Sequence, residues 1–304
     1  MITTPNRFVV SVVLAALLAS AALVLAHPLV RNFSGPHVAD FARGAPLPQT
    51  MLWAWERPED LTAIDPHQTG VAFLARTVFL AGDSVSVRPR FQPLRVPTGT
   101  ALVAVVRVET SRVDLGRAKS SRVEANRAPP PSLSSRQRSE AAHSIAVAGQ
   151  LPGLAGLQID FDATASERSF YSDLLQEVRA EIPPDLPLSI TALASWCLGD
   201  NWLKGLPVDD AIPMLFRMGA GTREVELHLD AGRNFRAPVC RQSLGISTDE
   251  PVSNLPQGRR LYIFTPRAWT PGTIELATHT THLATHTTQI PNQATQLATQ
   301  MERP

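Results

Sequence analysis

The sequence carries almost no net charge, and this absence limits the partners that the protein can have. Over 304 residues the formal net charge at pH 7 is only +1, so the chain has no overall field to attract nucleic acid or an acidic lipid surface. The arginine-rich stretch at residues 107–138 also contains Glu109, Asp114 and Glu124, which is typical of a solvated loop. We therefore expect no nucleic-acid partner.

Cysteine is also scarce. Cys197 and Cys240 are the two cysteines of the sequence; they do not form a CxxC motif, and the expected folded part has no cluster of histidine and cysteine. We therefore expect neither a metal ion nor a cofactor. The two cysteines can form one disulfide that joins two loops, or they can remain as unpaired, half-buried thiols, and the sequence leaves both arrangements open.

The first 30 residues have the pattern of an export segment. Arg7 supplies one positive charge, and an uncharged apolar run of about 19 residues follows at residues 8–26. Ala26, with Val24 two positions before it, permits cleavage, whereas the length of the run also suits a membrane anchor. Both alternatives predict an exported protein of the periplasm or cell envelope that contacts the membrane only through this segment.

Eight short apolar segments recur along the chain, most of them separated by segments of helical length. Strands that are apolar for most of their length indicate a parallel sheet that is covered on both faces. Eight strand–helix units predict an α/β fold, an irregular (β/α)8 TIM barrel. The predicted strands are residues 51–57, 70–80, 100–110, 156–163, 186–195, 211–219, 243–250 and 259–266.

Three segments between the predicted strands are informative. Residues 81–99 show no clear helix, and we expect an extended excursion such as a hairpin. Residues 223–242 are expected to hold either an extra strand or a poorly formed helix. After the proline run at 129–131, a helix capped by Ser132 or Ser134 is predicted to run towards Ala148.

These patterns also predict the domain organisation. A linker is expected at residues 31–49, and the barrel domain at 50–270 with an insertion at 111–131. Residues 271–304 contain successive seven-residue units of low complexity, with threonine where a coiled coil needs a second apolar residue. We therefore expect a disordered C-terminal tail.

The fourth predicted strand carries two carboxylates on one face. Because side chains alternate along a strand, Gln158, Asp160 and Asp162 share the face opposite to the apolar residues. The apolar face suits packing under the next segment, where Phe170 and Leu174 begin a helical stripe. Burying two carboxylates costs several kcal/mol unless they are paired, hydrogen-bonded or hydrated. The polar face therefore predicts a site or an ion-pair network.

Two interpretations of these carboxylates remain open. Asp160 and Asp162 lie about 6 to 7 Å apart along a strand, so the inner Asp160 can shift the pKa of Asp162, the candidate proton donor. In the structural alternative, Asp160 is a buried partner of Arg217 or Arg107, and Asp162 caps the following helix.

Further candidates follow the carboxyl ends of the other predicted strands, where TIM barrels place their working residues. Carboxylates and flat aromatic rings on one face are the composition of a sugar site. The second catalytic carboxylate is expected among Glu56, Glu109 and Glu250. The candidate substrate-binding residues are Trp53, Trp55, Gln158, Trp196, Arg217, Glu250 and Trp269.

Two of these segments resemble family 18 glycoside hydrolases, the chitinases. "GLQIDFDA" is similar to the barrel strand DGxDxDxE of that family, and "VDDAIPMLFRMG" is similar to its MxYD strand. The resemblance places Gly156 at the signature glycine, Asp160 at the last aspartate, Asp162 at the catalytic acid and Met214 at the sixth-strand methionine.

The chain also departs from the chitinase pattern. Ala155 and Gln158 stand in place of the first two aspartates, and Asp162 is one methylene shorter than the family's glutamate. Phe216 and Arg217 stand in place of the tyrosine and aspartate of MxYD. Substrate-assisted chitin hydrolysis in the family needs that tyrosine and those acids, so we do not expect a chitinase.

Over roughly residues 50–269 the chain resembles the bacterial family known as domain of unknown function 3142. The resemblance is carried by "LWAWERPEDL", "GVAFLA", "LQIDFDA", "LSITALASWCLGD" and "PMLFRMG". It implies a glycosidase-like barrel in an exported bacterial protein, with no established activity. We expect a glycoside hydrolase-like enzyme that acts on an envelope or extracellular polysaccharide, with a carbohydrate or another small polar molecule as its partner. The alternatives are a non-catalytic glycan-binding barrel and an envelope scaffold whose site is vestigial.

Overall fold

A computed structural model describes residues 46–111, 128–252 and 254–286. All of these residues belong to one unit, His37–Pro304, and a second unit, Met1–Pro36, lies outside the described part. The predicted export segment, most of the predicted insertion and the last part of the predicted tail therefore also lie outside it. Among the described residues, no helix is long and apolar enough to cross a bilayer.

Eight parallel strands close into a barrel, and each of the eight predicted strands is present. The strands in chain order are β1 (Thr50–Ala54), β2 (Glu59–Asp60), β3 (Thr69–Ala81), β4 (Ser84–Pro89), β5 (Leu94–Arg95), β6 (Leu102–Thr110), β7 (Leu154–Asp160), β8 (Leu188–Leu193), β9 (Asp210–Met214), β10 (Ser243–Ser247) and β11 (Arg260–Phe264). The barrel order is β1, β11, β10, β9, β8, β7, β6 and β3, and β1 pairs with β3 to close it. The predicted irregular TIM barrel is confirmed.

The irregularity lies mainly at β3. This strand has 13 residues, and its second half pairs with β4 in an antiparallel hairpin outside the barrel. Gly82 in the hairpin turn has a φ of 53°, a left-handed conformation that glycine adopts without a steric penalty. The expectation of a hairpin at this position is therefore confirmed.

Five helices cover the outside of the barrel within the described residues. They are α1 (Ser135–Gly149), α2 (Arg168–Glu181), α3 (Ala194–Gly199), α4 (Thr222–Asp230) and α5 (Pro271–His286). The side chain of Ser134 caps α1 by accepting a hydrogen bond from the Gln137 backbone N–H, as one of the two predicted caps. Of the two predictions for residues 223–242, a helix is the one observed.

The C-terminal helix α5 corrects one expectation. The disordered tail that we predict from residue 271 onwards is wrong for Pro271–His286, which form α5. Ile274 and Ala277 are buried in the outer core, and the hydroxyls of Thr278 and Thr281 bond to carbonyls one turn earlier. The helix is stabilised by packing on the barrel, so its low-complexity composition was a poor guide.

Side chains that point inward from the strands fill the barrel. They form a cluster of their own, separate from the core between the strands and the helices. Met51, Trp53, Val105 and Tyr262 belong to this inner cluster. A Cβ atom on Gly245 would lie 2.9 Å from the Met214 sulfur and 3.1 Å from the Trp53 ring. Glycine is therefore needed at position 245 because the large Trp53 ring occupies the space beside it.

The two cysteines form a disulfide. Cys197 of α3 is bonded to Cys240, and their Cα atoms are 5.9 Å apart, which is an ordinary separation for a disulfide. Both residues are fully buried. Of the two arrangements that the sequence left open, the structure contains the disulfide, which ties the segment after β8 to the segment before β10.

Candidate active site

The alternation predicted for the fourth barrel strand is present in β7. Leu157 and Ile159 belong to the outer core, whereas Gln158 lies inside the barrel, where its Oε1 accepts a hydrogen bond of 3.0 Å from Trp53 Nε1. Gln158 is fully buried, so it supports the barrel interior. Asp160, two residues further along the same face, is the last residue of β7 and reaches the carboxyl end of the barrel.

Asp160 is held by residues of the two neighbouring strands. Thr191 of β8 donates a hydrogen bond of 2.7 Å from its hydroxyl to Asp160 Oδ1. Arg107 of β6 lies directly opposite Asp160 in the strand register. The Asp160 side chain is 18 % exposed, so it is largely enclosed but still in contact with solvent.

Arg107 links Asp160 to a second carboxylate. Its Nε atom lies 2.9 Å from Glu109 Oε1 and 3.9 Å from Asp160 Oδ2. The two oxygens that share the Arg107 Nε atom therefore lie at most about 7 Å from each other. Of the candidates Glu56, Glu109 and Glu250, Glu109 is the one that the structure places beside Asp160 through a shared partner.

The pKa of Asp160 is strongly shifted. Burial is the main cause that raises it to about 6, and the charge of Asp162 acts in the same direction. The hydrogen bond from Thr191 and the charge of Arg107 lower it in part. A carboxyl group that keeps its proton to about pH 6 suits acid/base chemistry near neutral pH.

Asp162 lies in the exposed segment between β7 and α2. The cap of the following helical segment is formed by Thr164 and Glu167: Thr164 donates its backbone N–H to Glu167 Oε2 at 2.7 Å, and its hydroxyl bonds to the same oxygen. These two residues thus form the capping box of this segment.

Aromatic rings line the mouth of the barrel next to Arg107. The Arg107 guanidinium lies 5.6 Å from the centre of the half-buried Trp55 ring. The Trp55 ring meets Phe264 edge to face at 6.5 Å, and Phe264 stacks on Phe216 with their centres 5.5 Å apart. Trp55 is the predicted sugar-stacking residue that this arrangement leaves partly exposed beside the carboxylates.

The other predicted tryptophans are buried and do not present a face to a sugar. Trp53 is 2 % exposed in the barrel interior, and Trp269 donates its Nε1–H to the Trp53 carbonyl at 2.9 Å. Trp196 is buried against Trp202, with the Arg168 guanidinium over both rings. These three rings stabilise the fold, so their proposed role in sugar stacking does not suit their positions.

Glu56 pairs with an arginine other than Arg107. It is exposed and forms an ion pair of 2.5 Å with Arg88 of the β4 hairpin. The sequence predicted a hairpin but not its position relative to Glu56, and this position brings Arg88 to Glu56.

Arg217 and Glu250 pair with each other. The Arg217 backbone N–H donates to Glu250 Oε2 at 2.8 Å, and the Arg217 guanidinium lies 5.2 Å from the centre of the Phe264 ring. Arg217 has a φ of 52°, a left-handed backbone conformation that is uncommon outside glycine. Of the two partners proposed for Asp160, the structure contains Arg107 and not Arg217.

Sequence reasoning missed Thr191, Phe216 and Phe264 as parts of the site. Thr191 follows Ser189 on the inner face of β8, so the same alternation that singled out Asp160 also contained it. Phe264 is the last residue of β11 and Phe216 follows β9, both at the carboxyl end of the barrel. Within the described ranges, no group of three or more His, Cys, Asp or Glu side chains is placed to hold a metal ion.

Comparison with known protein families finds a match to part of the chain. The family model described as "Domain of unknown function (DUF3142)" matches residues 133–211, which include α1, β7, α2 and β8. The resemblance to this family, predicted over roughly residues 50–269, is confirmed for residues 133–211. The match contains Asp160, Asp162 and Thr191 but not β6 with Arg107 and Glu109. No curated protein matches the chain.

Two solved structures match the chain at low identity. The crystal structure of the Bacillus cereus spore cortex-lytic enzyme SleL matches at 15 % identity with a TM-score of 0.40, over 66 % of this chain and 51 % of that one. The chain thus spans about half the length of that protein. A Streptomyces coelicolor structure described as "putative Chitinase A" matches at 10 % identity with a TM-score of 0.42, over 77 % of this chain and 97 % of that one. The barrel is shown by the pairing of its own eight strands.

Proposed function

We propose that this protein is an exported glycoside hydrolase-like enzyme that cleaves an envelope or extracellular polysaccharide by carboxylate acid/base chemistry. The observation that carries the proposal is a group of three carboxylates at the carboxyl end of the barrel. Arg107 links Asp160 to Glu109, and Asp162 is close enough for its charge to raise the pKa of Asp160. Hydrolysis of a glycosidic bond needs two such carboxyl groups and benefits from an aromatic ring that stacks on the sugar. Trp55 supplies that ring beside Arg107.

Each carboxylate has a proposed role. Asp162, which is the more exposed of the strand pair, gives a proton to the glycosidic oxygen as the bond to the anomeric carbon breaks. Asp160 keeps a proton up to about pH 6 and is the positioning residue beside Asp162. Glu109 either attacks the anomeric carbon or takes a proton from the water whose hydroxyl ends on that carbon.

A second candidate function is a glycan-binding barrel without catalysis. The observation that favours it is the placement of Arg107 between Glu109 and Asp160, because a fixed guanidinium can neutralise both carboxylates. In such a barrel, Trp55 and Arg107 would hold the glycan and no bond would break.

Reducing-end release from a panel of polysaccharides, including xylan, β-glucan, chitosan and peptidoglycan, tests the proposal. The full chain is compared with Asp162→Asn, Asp160→Asn and Glu109→Gln. We expect each substitution to lower the rate at least about 100-fold, since Asp162 and Glu109 act on the glycosidic oxygen and the anomeric carbon, and Asp160 positions Asp162.

The matched control is Asp173→Asn. Asp173 lies on α2 and pairs with Arg138, so the same chemical change there should leave the rate unaltered. Turnover that survives Asp162→Asn would remove the proposed role of this residue. Saturable binding of a polysaccharide with no release of reducing ends from the wild-type chain would support the glycan-binding barrel instead.

A further inference from the structure

The strand pairing that orders the candidate active site stops short of two of its carboxylates. β7 ends at Asp160, and the register between β6 and β7 ends where Arg107 lies opposite Asp160. Glu109 lies two residues further along β6, and Asp162 follows β7 in the exposed segment before α2. The hydrogen-bonded ladder between these strands therefore does not fix the position of Asp162 relative to Glu109.

The side chain of Glu167 joins the two segments that carry these carboxylates. Its Oε1 accepts a hydrogen bond of 2.7 Å from the Thr110 hydroxyl, and its Oε2 accepts one of 2.7 Å from the Thr164 backbone N–H. Thr110 is the last residue of β6 and directly follows Glu109, whereas Thr164 lies two residues after Asp162. One carboxylate thus holds both the end of β6 and the segment that carries Asp162.

This contact lies behind the candidate active site. Val105 belongs to the inner cluster and Val108 to the outer core, so the alternation along β6 places Glu109 on the inner face and Thr110 on the outer face. Glu167 is 6 % exposed. Hydrogen bonds to a buried carboxylate are charge-assisted and short, so they restrict the groups that donate them. The contact is therefore a support for the carboxylates, and it is not a part of the surface that a substrate touches.

Helix capping alone does not account for both hydrogen bonds of Glu167. In a capping box the glutamate bonds back to the N-cap residue, which here is Thr164. The bond from Thr110 comes instead from a residue 57 positions away on a neighbouring strand. Because an ionised carboxylate has two acceptor oxygens, Glu167 serves the cap with one oxygen and the end of β6 with the other.

We propose that Glu167 is a positioning residue that holds Asp162 in place relative to Glu109. This inference rests on the proposed hydrolase function, in which Asp162 gives a proton to the glycosidic oxygen and Glu109 acts at the anomeric carbon. The separation of two such carboxyl groups decides how they hydrolyse the bond. A misplacement of about 1 Å can lower a rate by about 100-fold, so a buried bridge between the two segments serves the reaction directly.

The variant Thr110→Val separates positioning from capping. Valine has nearly the shape of threonine but lacks the hydroxyl, so the change removes the bond to β6 and leaves the bonds between Glu167 and Thr164. In the polysaccharide assay we expect Thr110→Val to lower kcat at least about tenfold and to change KM by less than about twofold, since the catalytic groups are displaced and sugar binding is not. Thr110→Ser, which keeps the hydroxyl, should retain kcat within about twofold.

Titration of the Asp160 carboxyl group tests the same inference without an activity assay. Strand pairing fixes Asp160, and the charge of Asp162 helps to raise the pKa of Asp160 to about 6. When the segment with Asp162 is released from β6, this contribution decreases. The pKa of Asp160 should therefore fall in Thr110→Val and stay at about 6 in Thr110→Ser. Carbon-13 NMR of the aspartate carboxyl groups in the full chain measures both values.

Glu167→Gln should change kcat and the titration in the same direction as Thr110→Val. Its matched control is Glu177→Gln on α2, where Glu177 pairs with Arg138 and both measurements should keep their wild-type values. If Glu167→Gln does not fold, Thr110→Val still decides the question, because its capping box is intact.

A wild-type kcat in Thr110→Val, or an unchanged titration of Asp160 in that variant, would each overturn the proposal and leave Glu167 as a helix cap. If the wild-type chain releases no reducing ends from any polysaccharide, the proposed hydrolase function fails. The titration then decides by itself whether Glu167 holds Asp162 in place.

Discussion

The two ends of the barrel each hold a buried aspartate whose pKa is about 6, but their surroundings differ. At the carboxyl end, burial of Asp160 is reinforced by the charge of Asp162, and the side chain stays 18 % exposed. At the amino end, burial alone raises the pKa of Asp210, because Ser243 and the nearby arginines lower it. The charge of a neighbouring carboxylate thus contributes to the raised pKa at the carboxyl end and not at the amino end. This difference is why we place acid/base chemistry at Asp160.

The interior of the barrel keeps these ends apart. The Trp53 ring contacts the rings of Tyr262 and Phe216, with centres 5.5 and 6.3 Å away, and its Nε1–H bonds to Gln158. Changes at one end should therefore have little direct effect on the other.

The largest expected effect concerns the pH dependence of stability. Both aspartates have a folded-state pKa of about 6, above the ordinary aspartate value of 3.8, so the folded protein binds their protons more tightly than the unfolded chain. The resulting stabilisation is complete below pH 3.8 and is lost as the pH rises through about 6. As the pH rises, each aspartate lowers the free energy of unfolding by up to about 3 kcal/mol, and replacing that residue with asparagine should remove its share of this loss.

Urea unfolding at several pH values between about 4 and 7 measures this prediction. We expect Asp160→Asn and Asp210→Asn to flatten the dependence to a similar degree, while only Asp160→Asn abolishes polysaccharide hydrolysis. The exposed Asp173→Asn variant should retain the wild-type dependence. If the free energy of unfolding of Asp210→Asn depends on pH as in the wild type, the pKa of Asp210 is not raised in the folded protein.

The next effect concerns the aromatic ring at the mouth. Trp55→Ala should raise KM for the polysaccharide by about tenfold and change kcat by less than about threefold, since ring stacking on a sugar contributes mainly to binding. Phe91→Ala is the control, because Phe91 is 64 % exposed and makes no ring contact with the aromatic residues of the site among those described. An equal loss in kcat and kcat/KM would show that Trp55 stabilises the transition state rather than the bound substrate.

The smallest effect concerns the hydrogen bond from Thr191. Thr191→Val removes a hydrogen bond that lowers the pKa of Asp160, so the pKa should rise and the Asp160-dependent step in the rate profile should move to higher pH. We expect the maximal rate to change by less than about threefold. Ser189→Ala, on the same face of β8 but bonded to Gln158, should leave the profile in place. A profile that shifts equally in both variants would point to a general disturbance of β8.

Much of the fold followed from local patterns. Eight apolar runs predicted the eight barrel strands, and the alternation in β7 correctly separated Asp160 from Ile159. A serine before an apolar run predicted the cap of α1. These features depend on residues close together in the chain, so a single sequence contains the information.

The composition of the site was harder to predict. Trp53 lies in β1 and Trp55 directly follows the end of this strand, so the two differ in depth along the barrel axis and only Trp55 reaches the mouth. Glu56 and Glu109 both follow barrel strands or lie near their ends, but Glu56 is drawn to Arg88 by the β4 hairpin. Each of these outcomes depends on a distant partner.

Residue order alone decided the alternation of β7, the stripe of α2 and the cap of α1, because neighbouring side chains repeat with the period of a strand or a helix. The pairing of strands in the barrel determined which side chains surround Asp160. The pairing of β6 with β7 sets Arg107 opposite Asp160, and the pairing of β7 with β8 brings Thr191 within reach of the same carboxylate. Packing on the barrel likewise made a helix of Pro271–His286, since burial of Ile274 and Ala277 outweighs a weak local preference.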